Sequence, residues 1–95
     1  MKRYVVISTK QYRKDFKRIL KSGLDRRKLE AIIDMLANGT TLPDRNNDHA
    51  LSGAYEGLRE CHIASDWLLV YRKHENELIL VLVGTGDHRR VLGME

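Results

Sequence analysis

A single cysteine in 95 residues, Cys61, leaves no partner for an intramolecular disulfide and no second thiol for a zinc knuckle or a redox pair. A disulfide scaffold is excluded, and a reducing cytoplasmic compartment is expected. The short apolar run that follows Met1, Lys2 and Arg3 is too brief for a secretory core or a membrane span, so no membrane association is expected. Length is also scarce. A chain of this size hides roughly 60–65% of its extended surface and supports one core, which points to a single domain over residues 1–95 and rules out a two-domain enzyme. Proline occurs once, at Pro43. Acidic residues are sparse at the start: residues 1–36 carry 11 basic and 4 acidic side chains, whereas residues 37–95 carry 6 and 9. The net charge of +4 therefore hides a basic first third, which attracts polyanions without choosing among nucleic acid, acidic membrane and acidic protein.

What is present is periodic. Tyr4 to Thr9 is a β-rich run and reads as a strand. Thr9 can cap a helix whose Tyr12, Phe16, Ile19 and Leu20 share a face, with Lys14, Lys17, Arg18 and Lys21 largely outward. Ser22 and Gly23 interrupt it. Asp25 caps a second helix carrying Leu29, Ile32, Ile33 and Leu36, which Asn38 and Gly39 stop. Residues 40–55 read as a long ordered loop, and strands are expected at Leu58–Ile63, Trp67–Arg72 and Leu78–Val83. The order βααβββ implies an α+β domain with two N-terminal helices packed against a small, largely antiparallel sheet. Whether the first strand joins the last is open.

Three of four histidines, His49, His62 and His88, fall at junctions, where side chains of near-neutral pKa can divide base and acid roles. Asp66, four residues after His62, either orients an imidazole or satisfies turn amides. Arg59 is either a phosphate clamp or a structural ion-pair member, and its separation of three from His62 directs the two to opposite strand faces unless a bulge intervenes. Trp67 and Tyr71 can stack on bases or fill the core. HExxH is absent and the histidine spacings define no ligand set, so no metal is expected. Gly84–Gly86 is not a dinucleotide fingerprint and no triphosphate loop occurs, so no organic cofactor is expected either.

The segments HALSGAYEGLRECHIASDWLLVY and VGTGDHRRVLG combine H-x-L-x-G, G-x-R-x-x-H, D-W-x-L-x-Y and T-G-x-H in order. This combination closely resembles the YafQ branch of the RelE-like toxins of bacterial toxin–antitoxin systems. The resemblance implies a small α+β domain that enters the ribosomal 30S A site, cuts messenger RNA during translation and is neutralised by a cognate antitoxin. It implies a catalytic group of His49, His62, Asp66 and His88, with Arg59 in the basic position and Trp67 securing the aspartate's turn. The substrate's own 2′-OH would be the nucleophile, so no cofactor is implied. Leu92 stands where the family commonly has an aromatic residue, and Arg89 and Arg90 offer nearby contacts to the RNA backbone. Lys10, Lys14, Lys17, Arg18, Lys21, Arg26, Arg27 and Lys28 become candidates for docking on ribosomal RNA. The competing readings are a non-catalytic nucleic-acid-binding or antitoxin-binding domain of the same fold and a small metal hydrolase.

Overall fold

A computed structural model describes residues 3–87. Strand β1 (Val5–Ser8) leads into helix α1 (Lys10–Ser22) and helix α2 (Arg26–Ala37). The caps are those expected: Thr9 accepts from the Tyr12 N–H and Asp25 from the Arg27 N–H, satisfying amides that have no partner within the helix. Gly23 closes α1 at φ 84°, a left-handed conformation in which a β-carbon is strained. Strands β2 (His49–Ala50), β3 (Arg59–Ala64), β4 (Trp67–His74) and β5 (Ile79–Gly86) complete a five-stranded sheet of order β1-β5-β4-β3-β2.

The sheet is mixed. β2–β3, β3–β4 and β4–β5 are antiparallel, while β1 lies parallel to β5 with Val5 opposite Ile79 and Ser8 opposite Leu82. That non-local pairing brings the start of the chain beside its last strand, and α1 and α2 form the connection that a parallel pair requires. Two details depart from the sequence expectations. The segment over residues 40–55 holds β2 and two single-turn 3-10 helices, Asp44–Asn46 and Gly53–Tyr55. β5 also runs three residues further than expected, to Gly86.

The helices cover one face of the sheet, where Leu29 and Leu36 meet Cys61, Leu69, Tyr71 and Leu80, all at most 1% exposed. Removing these side chains from water is the main stabilising term, roughly 1.5–3 kcal/mol for each large aliphatic one. Leu20 departs from its expected inward place and is 44% exposed. On α1 the inward residues are Tyr12, Asp15 and Ile19, and the buried carboxylate is fully engaged. Its Oδ1 accepts from Gln11 and Arg18, and its Oδ2 accepts from the Thr85 N–H.

Candidate active site

Register decides which side chains can cooperate. Arg59, Glu60, Cys61 and His62 oppose Tyr71, Val70, Leu69 and Leu68 in unbroken succession, and the shift in β3 comes only after His62. Alternation along a strand then places Arg59 and Cys61 on one face and Glu60 and His62 on the other. Cys61, Leu69 and Tyr71 belong to the helix-covered core. Glu60 and His62 therefore occupy the face away from the helices, and His49 joins them because it pairs directly with Glu60.

A short turn aims His49. Asn47 adopts φ 44°, a left-handed conformation that asparagine tolerates better than most residues, and reverses the chain into β2. The Asn47 carbonyl lies 2.7 Å from His49 Nδ1, so that nitrogen carries a hydrogen and donates it. Nε2 lies 3.4 Å from Oε1 of Glu60, a carboxylate side chain only 4% exposed. With Nδ1 already a donor, Nε2 attracts the carboxylate only when the ring holds its second proton. The two contacts hold the ring by both nitrogens and fix its orientation. The same turn reaches His62, whose carbonyl accepts from Asn46 Nδ2 at 2.7 Å.

Asp66 lies in the tight turn between β3 and β4 and is exposed. With Arg18, Ser22, Leu24 and Asp87 it lines a cleft of about 190 Å³ at the end of α1. Gly86 pairs with Leu68, so β5 ends beside this turn. His88, Arg89, Arg90 and Leu92 lie outside the described residues.

Two expectations need correction. Trp67 is 3% exposed and its indole N–H donates to Thr85 Oγ1 at 3.0 Å, so it fills the core beside Asp66 and offers no ring for base stacking. Arg59 points to the helix side of β3, away from His62. Its Nε donates to Asp48 Oδ1 and to the Tyr71 hydroxyl, each at 3.3 Å, and that hydroxyl donates to the same Asp48 oxygen. Burial, reinforced by the Asp48 bond, raises the Tyr71 phenol above its ordinary range. Arg59 is thus committed to an internal ion pair, as strand parity foretold.

Cys61 supplies no nucleophile: burial, and then the charges of Asp48 and Glu60, push its thiol up to about 12. Among the described residues no group of three or more His, Cys, Asp or Glu side chains is placed to hold a metal ion. None of the described helices is long and apolar enough to cross a membrane. The expected docking residues Lys10, Lys14, Lys17, Arg18, Lys21, Arg26, Arg27 and Lys28 are all exposed on α1 and α2. Three of them hold carboxylate partners: Arg18 with Asp15 at 3.0 Å, Arg26 with Glu30 at 3.9 Å and Arg27 with Asp25 at 3.1 Å.

Glu60 and Asp48 were not singled out in the sequence. Asp48 is adjacent to His49, a signal that was available, whereas Glu60 becomes a partner of His49 only through the β2–β3 register.

Comparison with known proteins identifies the family. Residues 4–93 match the family described as bacterial toxin of type II toxin–antitoxin system, YafQ. The mRNA interferase toxin YafQ of Escherichia coli K12 is 36% identical over 84 residues, covering 87% of this chain and 89% of the relative. The crystal structure of YafQ from E. coli BL21(DE3) superposes with a TM-score of 0.83 at 30% identity, covering 90% of this chain and 94% of that one. In the crystal structure of the E. coli DinJ–YafQ toxin–antitoxin complex, the matching chain is 32% identical with a TM-score of 0.86, covering 96% of this chain and 99% of that one. A match along nearly the whole chain, in sequence and in fold, makes this protein a member of the YafQ family of toxin–antitoxin toxins, within the RelE/YafQ mRNA interferase superfamily.

Proposed function

We propose that this chain is a ribosome-dependent endoribonuclease that cuts messenger RNA in the A site and is neutralised by a cognate antitoxin. The observation that carries this reading is the convergence of His49, Glu60 and His62 on the sheet face away from the helices, in a chain of the YafQ family. These are groups that move protons, and Cys61, held protonated in the core, offers no covalent route. As the resemblance implies, the nucleophile is the substrate's own 2′-OH. The ribose 2′-oxygen bonds to the adjacent phosphorus as the bond to the 5′-oxygen breaks, leaving a 2′,3′-cyclic phosphate and a 5′-hydroxyl. One group takes the 2′-OH proton and another gives a proton to the departing oxygen, contributions typically worth about 10²- to 10⁴-fold each.

In this scheme His62 takes the 2′-OH proton, His49 with Glu60 stabilises negative charge on the phosphate, Asp66 orients the group and His88 protonates the 5′-oxygen. Alignment of the 2′-oxygen with the scissile bond is left to the ribosome, which suits so small an enzyme. The exposed cations of α1 and α2 are the proposed docking face on ribosomal RNA. An antitoxin partner is supported by the E. coli DinJ–YafQ complex of a close structural relative.

The test adds purified protein to translating ribosomes and maps message ends, with free RNA and the His88→Ala and His62→Ala variants alongside. Ribosome-dependent cuts, retained in chelator and lost in both variants, are expected. Equal cutting of free RNA would point to a general nuclease. Ribosome binding without any cutting would favour the non-catalytic antitoxin-binding reading, for which Leu92 in place of an aromatic residue is the motive.

A further inference from the structure

With Arg59 turned to the helix side, the face that bears His62 needs another cation to hold substrate phosphate. We propose that Arg45 is that group: it binds a phosphate of the RNA strand next to His62 and orients it for cleavage. The inference deepens the nuclease reading above and rests on it for the identity of the ligand.

Arg45 sits in the 3-10 turn Asp44–Asn46. With Asn46, His62, Ile63, Ala64 and Ser65 it lines a cleft of about 210 Å³ along the edge of β3, beyond the point where β2 stops pairing. Asn46 fastens the turn there through its bond to the His62 carbonyl, so Arg45 and His62 keep a fixed spacing. The bond also settles how the amide points: Nδ2 faces the carbonyl, and Oδ1 is a buried acceptor with no donor among the described residues.

Charge separates this cleft from the two that contain Arg59. Those are lined by Asp44 and Asp48 in one case and by Asp48 and Glu75 in the other, and Arg59 is already bonded to Asp48. No carboxylate lines the His62 cleft. Arg45 is exposed and makes no hydrogen bond or ion pair among the described residues. A guanidinium without a bond among the described residues, lining a cleft with a histidine and no carboxylate, is matched to a phosphodiester, which it grips through two oxygens.

The experiment uses the full chain, Arg45→Gln and Arg45→Lys. Single-turnover cleavage is measured on translating ribosomes. Affinity is measured across a salt series on ribosomes programmed with a message 2′-O-methylated at the A-site codon, which removes the nucleophile. Arg45→Gln should keep the parent's melting temperature, because Arg45 has no internal bond to lose. It should cut about tenfold more slowly, and the slope of log affinity against log salt should shrink by about 0.7, as for one phosphate contact on a single strand. Arg45→Lys should keep the slope and recover only part of the rate, since it lacks the two-pronged grip. Parent-like cutting and slope in Arg45→Gln would overturn the proposal. If the parent chain cuts no message, the nuclease reading fails by itself. The slope on the blocked message then decides: a reduced slope keeps Arg45 as a phosphate contact, and an unchanged slope, or no binding by the parent, removes it.

Discussion

His49 derives its role from two acceptors rather than from its position in the sequence. The Asn47 carbonyl claims Nδ1 and the buried Glu60 carboxylate faces Nε2, so both ring nitrogens are held and the ring's direction is fixed. Replacing Glu60 by Gln keeps the volume and removes the carboxylate that faces Nε2. The Glu60→Gln variant should fold, bind ribosomes like the parent and lose about 10- to 100-fold in cleavage rate, within the range that ligand-orienting and acid–base groups command. A parent-like rate would place Glu60 outside the chemistry. The correction at Arg59 belongs to this scale too. A separation of three along a strand already opposed cooperation with His62, and the register bore that out since β3 bulges only after His62. The free arginine in the preceding turn had no comparable signal, because the 3-10 turn that brings it to His62 is closed by one Asn46 bond to a distant carbonyl.

Elements were legible where a repeating pattern ran long enough. Both helices follow from period and caps, and the three long strands from apolar runs. β2 has only two residues, below the length at which alternation carries information, and exists because β3 offers it a partner. The β1–β5 pairing is likewise a tertiary fact, since no local feature of Val5–Ser8 names Ile79–Leu82 as its neighbour. Asp15 was hidden for another reason: an acid on a basic helix reads as surface, yet here it is 1% exposed. It bridges elements, since Arg18 and Gln11 bond one oxygen while the other accepts the Thr85 N–H at 3.1 Å. Thr85 in turn holds the Leu68 carbonyl and the Trp67 indole, where β4 begins after Asp66 and β5 ends before Asp87. Asp15→Ala leaves that amide buried without an acceptor and should lower stability by about 1–3 kcal/mol in denaturant unfolding. An unchanged unfolding midpoint would mean that water replaces the carboxylate. Asp15→Asn should recover part of the loss, because its amide oxygen can still accept from Thr85 while its NH₂ group faces the donors of Gln11 and Arg18.

At the scale of the whole molecule, the charge division seen along the sequence becomes a division in space. The basic first third forms the exposed surfaces of α1 and α2, on one side of the sheet, while His49, Glu60 and His62 occupy the other. Under the proposed function, a docking surface and a cutting surface separated by a single sheet would let a chain of 95 residues grip a large RNA scaffold and still present its histidines to the message. Not every cation on the helices is equally available: Arg18, Arg26 and Arg27 already face carboxylates, whereas Lys14, Lys17 and Lys21 form an exposed stripe at helical spacing without an ion pair among the described residues. Reversing that stripe with Lys14→Glu, Lys17→Glu and Lys21→Glu separates docking from chemistry. Exposed substitutions away from buried partners typically change stability by less than about 0.5 kcal/mol each, so the triple variant should remain folded. Its affinity for ribosomes should fall by more than tenfold at about 0.1 M salt, and the salt slope should lose up to about three contacts. Cleavage at saturating ribosome concentration should then approach the parent rate, because His49, Glu60 and His62 lie on the opposite face. Unchanged affinity across the salt series would remove these helices from the docking surface, and a lost rate at saturation would show that α1 takes part in aligning the message.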